Sequence, residues 1–179
     1  MITNYFSETT KTMKSSLIRE LVATTKNVPD LISFAGGFPS PATFPTEILS
    51  KLFQEVVFRQ GREVLQYGNS EGDDQLKEEI LKWENYPNLN KDNMMITVGA
   101  TNAIYYMSRT LLNEGDVVLC EAPSFLGSLV AFEAVGAEVH SVSMDNEGID
   151  LNLFAEKVKR LRDANKKIKF LYTIPDFQN

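Results

Sequence analysis

Residues 94–125 read MMITVGATNAIYYMSRTLLNEGDVVLCEAPSF, and no other stretch narrows the fold of this chain so far. A short apolar run, 94–98, meets a Gly-Ala-Thr-Asn turn. A helical pattern follows, with Ile104, Met107, Leu111 and Leu112 apolar, and it stops at Asn113-Glu114-Gly115. A second apolar run, 116–120, then enters a turn at Pro123-Ser124. Strand, tight turn, helix and strand in that order make a βαβ unit. Its first turn sets free backbone N–H groups and the Thr101 hydroxyl at a helix N-terminus. The helix dipole there favours a phosphate or another anion.

The flanking segments extend this pattern. On the N-terminal side, residues 16–22 carry a short helical pattern and Leu31 to Phe34 a brief apolar run. Ala35-Gly36-Gly37-Phe38-Pro39-Ser40-Pro41 follows, an extended loop whose paired glycines allow close backbone approach to a ligand. Thr46 starts a helix whose apolar face holds Ile48, Leu49, Leu52, Phe53, Val56 and Val57, with Gly61 as its expected stop. A glycine-punctuated loop with Tyr67 leads to a second helix over 73–83. Beyond Phe125, a helix over 126–135 should end at Gly136, a strand should occupy 138–144, Asp150 should cap another helix, and 168–174 should be a last strand. Four strand-like runs alternating with helices predict an α/β architecture, a mainly parallel sheet covered by helices. Right-handed crossovers bring the turns at 99–102, 121–125 and 175–179 to one sheet edge, where open α/β sheets bind ligands.

Composition removes several function classes. With 18 basic against 24 acidic side chains the net charge is −6, and no basic block offers a nucleic-acid surface. One His and one Cys cannot build a His/Cys metal cluster. Cys120, inside an apolar strand, reads as core and suits a reducing compartment. The polar N-terminal segment lacks the apolar core of a signal peptide, and no apolar run is long enough to span a bilayer. A cytoplasmic protein with no membrane partner is expected.

Several side chains stand where a ligand could meet them. Phe125 follows a strand end and can cover a planar ligand. Asn179 sits at the mouth of the last strand, where it can donate to a ligand oxygen. Tyr67 lies in a Gly-rich loop, and Arg19 on a helix can pair with an acidic substrate. His140, at a polar position of an alternating strand, reads as structural.

Taken together, the segments ISFAGGFPSPATFP (32–45), LQYGNSEGDDQLKEEI (65–80), ITVGATNAI (96–104), VVLCEAPSFLGSLVAFEAVGAEV (117–139) and FLYTIPDFQN (170–179) resemble the class I/II aminotransferases of fold type I. These are pyridoxal-phosphate enzymes, and the similarity is strongest to the 2-aminoadipate and kynurenine aminotransferase subgroup. The resemblance implies the cofactor pyridoxal 5′-phosphate and a role for each candidate. Ala100 and Thr101 match the turn that holds the cofactor phosphate, with Ala100 standing where Ser is common. Phe125 matches the aromatic residue stacked on the pyridine ring, and Asn179 the Asn that hydrogen-bonds the phenolic oxygen. Tyr67 matches the Tyr that reaches the phosphate of the neighbouring subunit's cofactor, which implies a homodimer with shared active sites. Gly37 matches a loop glycine beside the substrate carboxylate, and Arg19 an Arg that meets an acidic substrate side chain.

The resemblance further implies that the family's Schiff-base Lys lies beyond Asn179, so no catalytic residue is nominated here. The expected organisation is an N-terminal arm and small-domain segment over 1–45 and an incomplete large, cofactor-binding domain over 46–179. On that reading the chain is the N-terminal portion of an aminotransferase moving an amino group between an amino acid and a 2-oxo acid, inactive by itself. The alternative is a non-catalytic binding or interaction module derived from that fold.

Overall fold

The computed structural model describes residues 2–7, 10, 11, 24, 28–32, 38–84 and 87–178. The short helix expected over 16–22, Gly36 and Gly37 of the loop, and the candidates Arg19 and Asn179 lie outside the described residues. The chain divides into two compact units, one of Lys14–Ile96 and one of Met1–Met13 with Thr97–Asn179.

In the first unit, helix α1 spans Thr46–Val64 and helix α2 spans Asp74–Glu84. Gly61 does not stop α1; the helix bends at Gln60 (φ −128°) and continues for another turn to Val64. The glycine loosens the helix without ending it, because it does not adopt the left-handed conformation that terminates one. The expected apolar face of α1 is present but uncovered: Ile48, Leu49, Leu52, Phe53 and Val56 are all exposed. Asp73 caps α2 by accepting the Leu76 N–H at 2.8 Å. The Asp74 carboxylate then joins Lys77 at 2.8 Å and Lys91 at 3.0 Å, which ties α2 to the 3-10 turn Lys91–Asn93. Those two ammonium groups, Lys77 first, hold the Asp74 carboxyl below its ordinary range.

The second unit contains helix α3 (Ala100–Leu111), strand β1 (Val117–Ala122), helix α4 (Leu126–Glu133), strands β2 (Glu138–Asp145) and β3 (Gly148–Ile149), helix α5 (Leu151–Asp163) and strand β4 (Ile168–Tyr172). The sheet order is β3-β2-β1-β4, parallel apart from the short β2–β3 return. The α/β class, with a mainly parallel sheet and helices, is as expected. One strand is not. Among the described residues, 94–98 pair with no strand, and Met95 and Val98 are exposed, Val98 at 95%. An apolar run becomes a strand only beside a neighbour that takes its N–H and C=O groups. Here the Ile96 N–H reaches only the Glu71 carbonyl, at 3.0 Å.

β1 is central, and its residues Val117 through Glu121 are all buried. Alternation along it feeds two cores. Val118 packs with Leu112, Phe132 and Ala137 and with Ile104, Phe170 and Tyr172 on the face covered by α3 and α4. Val117 and Leu119 pack with Leu161, Phe154, Val158 and Ile168 on the face covered by α5. Phe132 meets Phe170 and Tyr172 edge to face, with ring centroids 5.7 and 5.5 Å away. Asp150 caps α5 by accepting from the Asn152 and Leu153 N–H groups at 2.9 and 3.0 Å. Two ends fall short of expectation: α4 stops at Glu133, and β4 at Tyr172 because Thr173 and Ile174 turn aside to Glu121.

Candidate functional site

The three parallel strands enter the sheet along one edge. There the Glu138 N–H donates to the Asp116 carbonyl at 2.9 Å and the Val117 N–H to the Lys167 carbonyl at 2.8 Å. The Asp116 carboxylate accepts the Asn113 N–H at 2.9 Å, and that hydrogen bond is the main reason its carboxyl titrates below the ordinary range. The C-terminal end of α3 joins this edge through residues 112–116. The helix, 12 residues and so about 18 Å long, packs through Ile104 on the core that also holds Tyr172. Its N-terminus therefore rises at the opposite rim, where β1 and β4 exit.

At that N-terminus Gly99 takes φ +97° and ψ 167°, backbone that a side chain would strain. The Gly99 carbonyl accepts from the Asn102 and Ala103 N–H groups at 3.1 and 3.2 Å and from the Thr97 hydroxyl at 3.1 Å. The N–H groups of Ala100 and Thr101 have no acceptor among the described residues. Among the described residues nothing lies within 4 Å of the position a Gly99 Cβ would take, so the space beside Gly99 is open. Thr101 itself is exposed.

β1 exits through a cis Ala122–Pro123 peptide to Phe125, which precedes the first turn of α4. The Phe125 ring folds over Gly127, where an added Cβ would come within 2.6 Å of Cε1 and Cζ. The ring is 41% exposed, so one part packs on glycine backbone and the rest faces outward. The hydroxyls of Ser124 and Ser128 beside it are buried with no hydrogen-bond partner among the described residues. The structure thus places Ala100, Thr101 and Phe125 on one rim. Tyr67 belongs to the other unit, is 99% exposed, and its N–H donates to the Gln66 side-chain carbonyl at 2.9 Å. Arg19, Gly37 and Asn179 lie outside the described residues.

One rim residue was given no role by the sequence. Glu121 is 7% exposed at the end of β1, and its carboxylate accepts from the Thr173 hydroxyl, the Gln178 amide and the Ile174 N–H, the last at 3.0 Å. The available signal was a lone Glu closing the apolar run Val117-Val118-Leu119-Cys120, which a charge enters only with partners. Cys120 is buried, as expected, and burial pushes its thiol up. His140, half-buried, faces Glu138 at 3.5 Å. Elsewhere a cavity of about 340 Å³ opens between β2 and α5, against Ser141, Ser143, Glu156, Lys157 and Arg160. None of the rim candidates lines it, and the Lys157 ammonium there donates to the Ser141 carbonyl at 2.6 Å. Among the described residues no helix is long and apolar enough to cross a membrane.

Known proteins resemble this chain in sequence and fold. The family model for aminotransferase class I and II matches residues 30–174. Aromatic-amino-acid aminotransferase 1 of Thermococcus litoralis is 39% identical over 98% of this chain and 42% of its own. Kynurenine aminotransferase of Pyrococcus horikoshii, crystallised in complex with PMP and with kynurenine as substrate, superposes with a TM-score of 0.88 at 37% identity, over 99% of this chain and 44% of its own. The α-aminoadipate aminotransferase of Thermus thermophilus, solved with N-(5′-phosphopyridoxyl)-L-leucine, gives a TM-score of 0.84 at 32% identity, over 100% of this chain and 42% of its own. The chain spans about two-fifths of the length of these relatives. With the family pattern running from residue 30 through the turn at 99–102, the Phe125 turn and all of β4, this chain belongs to the class I and II aminotransferases.

Proposed function

We propose that this chain supplies the phosphate-binding turn and the ring-covering face of a pyridoxal 5′-phosphate site, and that the whole protein moves an amino group between an amino acid and a 2-oxo acid. The observation that carries the reading is the N-terminus of α3. Two N–H groups without acceptors among the described residues and one exposed hydroxyl stand beside Gly99, on the rim that bears the half-exposed Phe125 ring.

A phosphate dianion fits that turn in charge and in hydrogen-bonding capacity, since its oxygens only accept and the turn only lacks acceptors. Ala100 brings no hydroxyl, so the side-chain contact falls to Thr101. Phe125 offers a flat apolar surface to an aromatic ring and keeps water from one face of it. When bound, pyridoxal phosphate supplies the carbonyl carbon that receives the amino group and a conjugated ring that takes up the electron pair freed at the substrate α-carbon.

Within the same reading Asn179 donates to the phenolic oxygen, Gly37 lies beside the substrate carboxylate and Arg19 faces an acidic substrate side chain. Tyr67, with its ring uncovered, reaches the phosphate in a second subunit of a homodimer. In this reading residues 46–179 form the N-terminal part of the cofactor-binding large domain and 1–45 an arm and small-domain segment. The protein works in the cytoplasm, where its buried thiol stays reduced. No residue of this chain is assigned a covalent or proton-transfer role. The substrates named for the relatives make kynurenine and 2-aminoadipate the first amino donors to try with the whole protein.

Fluorescence titration of the chain with pyridoxamine 5′-phosphate, which cannot condense with surface lysines, tests the site. The expected result is saturable binding that inorganic phosphate competes away. Thr101→Val should weaken it about tenfold, the loss of one charge-assisted hydrogen bond. Binding that never saturates, or that ignores Thr101→Val, overturns the reading.

A further inference from the structure

Glu121 is the one buried carboxylate on the rim among the described residues, and its contacts all run in one direction. It belongs to β1, whose exit carries Phe125, yet every donor it accepts comes from the segment that leaves β4: the Thr173 hydroxyl, the Ile174 N–H and the Gln178 side-chain amide. The same Gln178 amide also donates to the Pro123 carbonyl at 3.3 Å, inside the Phe125 turn. A carboxylate oxygen pair has about four lone-pair sites, so three donors nearly saturate it. A buried charge held this fully is costly to misplace, which makes it a stiff link between whatever it joins.

We propose that Glu121 is a positioning residue for the cofactor site: it locks the β4 exit segment, 173–178, against the β1 exit, and so sets the spacing of the two walls of the rim. The proposal rests on the cofactor reading above. One wall is the Phe125 turn, against which the ring lies. The other is the backbone of 173–178 that leaves β4, held through Thr173, Ile174 and Gln178. Glu121 touches neither the phosphate turn nor the ring face; it acts through the residues it holds. β4 shows the cost of this arrangement, because Thr173 and Ile174 leave the strand ladder to serve the carboxylate.

The test compares wild type with Glu121→Gln, whose amide keeps one accepting oxygen and turns the other group into a donor facing donors. Thr173→Val, at an exposed position, removes a single donor and guards against a variant that fails to fold. Two readouts are taken on the whole protein that contains this chain. One is hydrogen exchange of the 173–178 peptide against that of β1. The other is the pH titration of the phenolic oxygen of bound pyridoxamine 5′-phosphate, followed by its absorbance. In Glu121→Gln, exchange at 173–178 should accelerate at least about tenfold while β1 stays protected, and the phenolic titration should move toward that of the free compound. Thr173→Val should shift both the same way by less. Unchanged exchange, or faster exchange with an unmoved titration, overturns the positioning role and leaves the cofactor reading standing. A wild type that binds no pyridoxamine 5′-phosphate overturns the cofactor reading and the positioning role with it, even where exchange shows the link intact.

Discussion

Gly127 and Phe125 show how a single missing side chain shapes the rim. The Phe125 ring occupies the volume a β-carbon at 127 would need, and the atoms it would strike, Cε1 and Cζ, are the far end of a side chain that can swing away. Gly127→Ala should therefore move the ring without breaking the fold. Alanine also favours the helix that Gly127 lies in by about 1 kcal/mol, which offsets the cost of the displaced ring. The expected outcome is a urea midpoint close to wild type together with binding of pyridoxamine 5′-phosphate weakened about tenfold. Equal losses of stability and of binding would instead mean that the ring is part of the core. Gly99 differs, since its φ of +97° depends on the backbone alone and no neighbour constrains it.

Among elements, α5 depends on its first residues more than its length suggests. Its exposed face is charged, its last turn carries Arg160 and Arg162, and only Leu161 is fully buried. Asp150 satisfies two N–H groups at its start, so Asp150→Ala should cost about 1 kcal/mol in urea denaturation. The change should appear in the core of Val117, Leu119 and Leu161, and not in that of Phe132. α3 offers the contrast: it begins with no side-chain cap at all, and its first N–H groups stay unmatched among the described residues. A helix start left uncapped at the exit rim of a parallel sheet is where an anion restores the missing acceptors.

For the whole molecule, the carboxylates set the response to acid. Asp74, Asp116 and Glu138 are all held below their ordinary values of 3.8, 3.8 and 4.5, Glu138 chiefly by the Lys166 ammonium at 2.6 Å and then by His140. A lowered folded-state value means the unfolded chain binds protons first, so stability rises with pH across that window. Their contribution is complete above the ordinary values and is lost as pH falls through the lowered ones. The urea midpoint should hold steady from about pH 7 to about pH 5 and then fall steeply below about pH 4. A midpoint that drops above about pH 5 would point to other groups.

Much of the fold was written locally. The alternation in 138–144, the Asp150 cap, the run 117–120 and the apolar spacing of 100–112 each state their structure within a few residues, because backbone geometry and side-chain period are local properties. The Gly-Ala-Thr turn was legible for the same reason, as was the family resemblance built from such pieces. Residues 94–98 carried an equally good strand pattern and form none, because pairing needs a neighbour the run itself cannot provide. Gly61 looked like a helix stop, but its backbone does not take the left-handed turn that ends a helix, and α1 runs on to Val64. Glu121 stood in the sequence only as the first residue of the turn 121–125; its donors lie 52 to 57 positions further on, and only the folded sheet brings them to it. What sequence alone settled were periods and caps, and tertiary structure decided which of the exposed backbone and buried charge found partners.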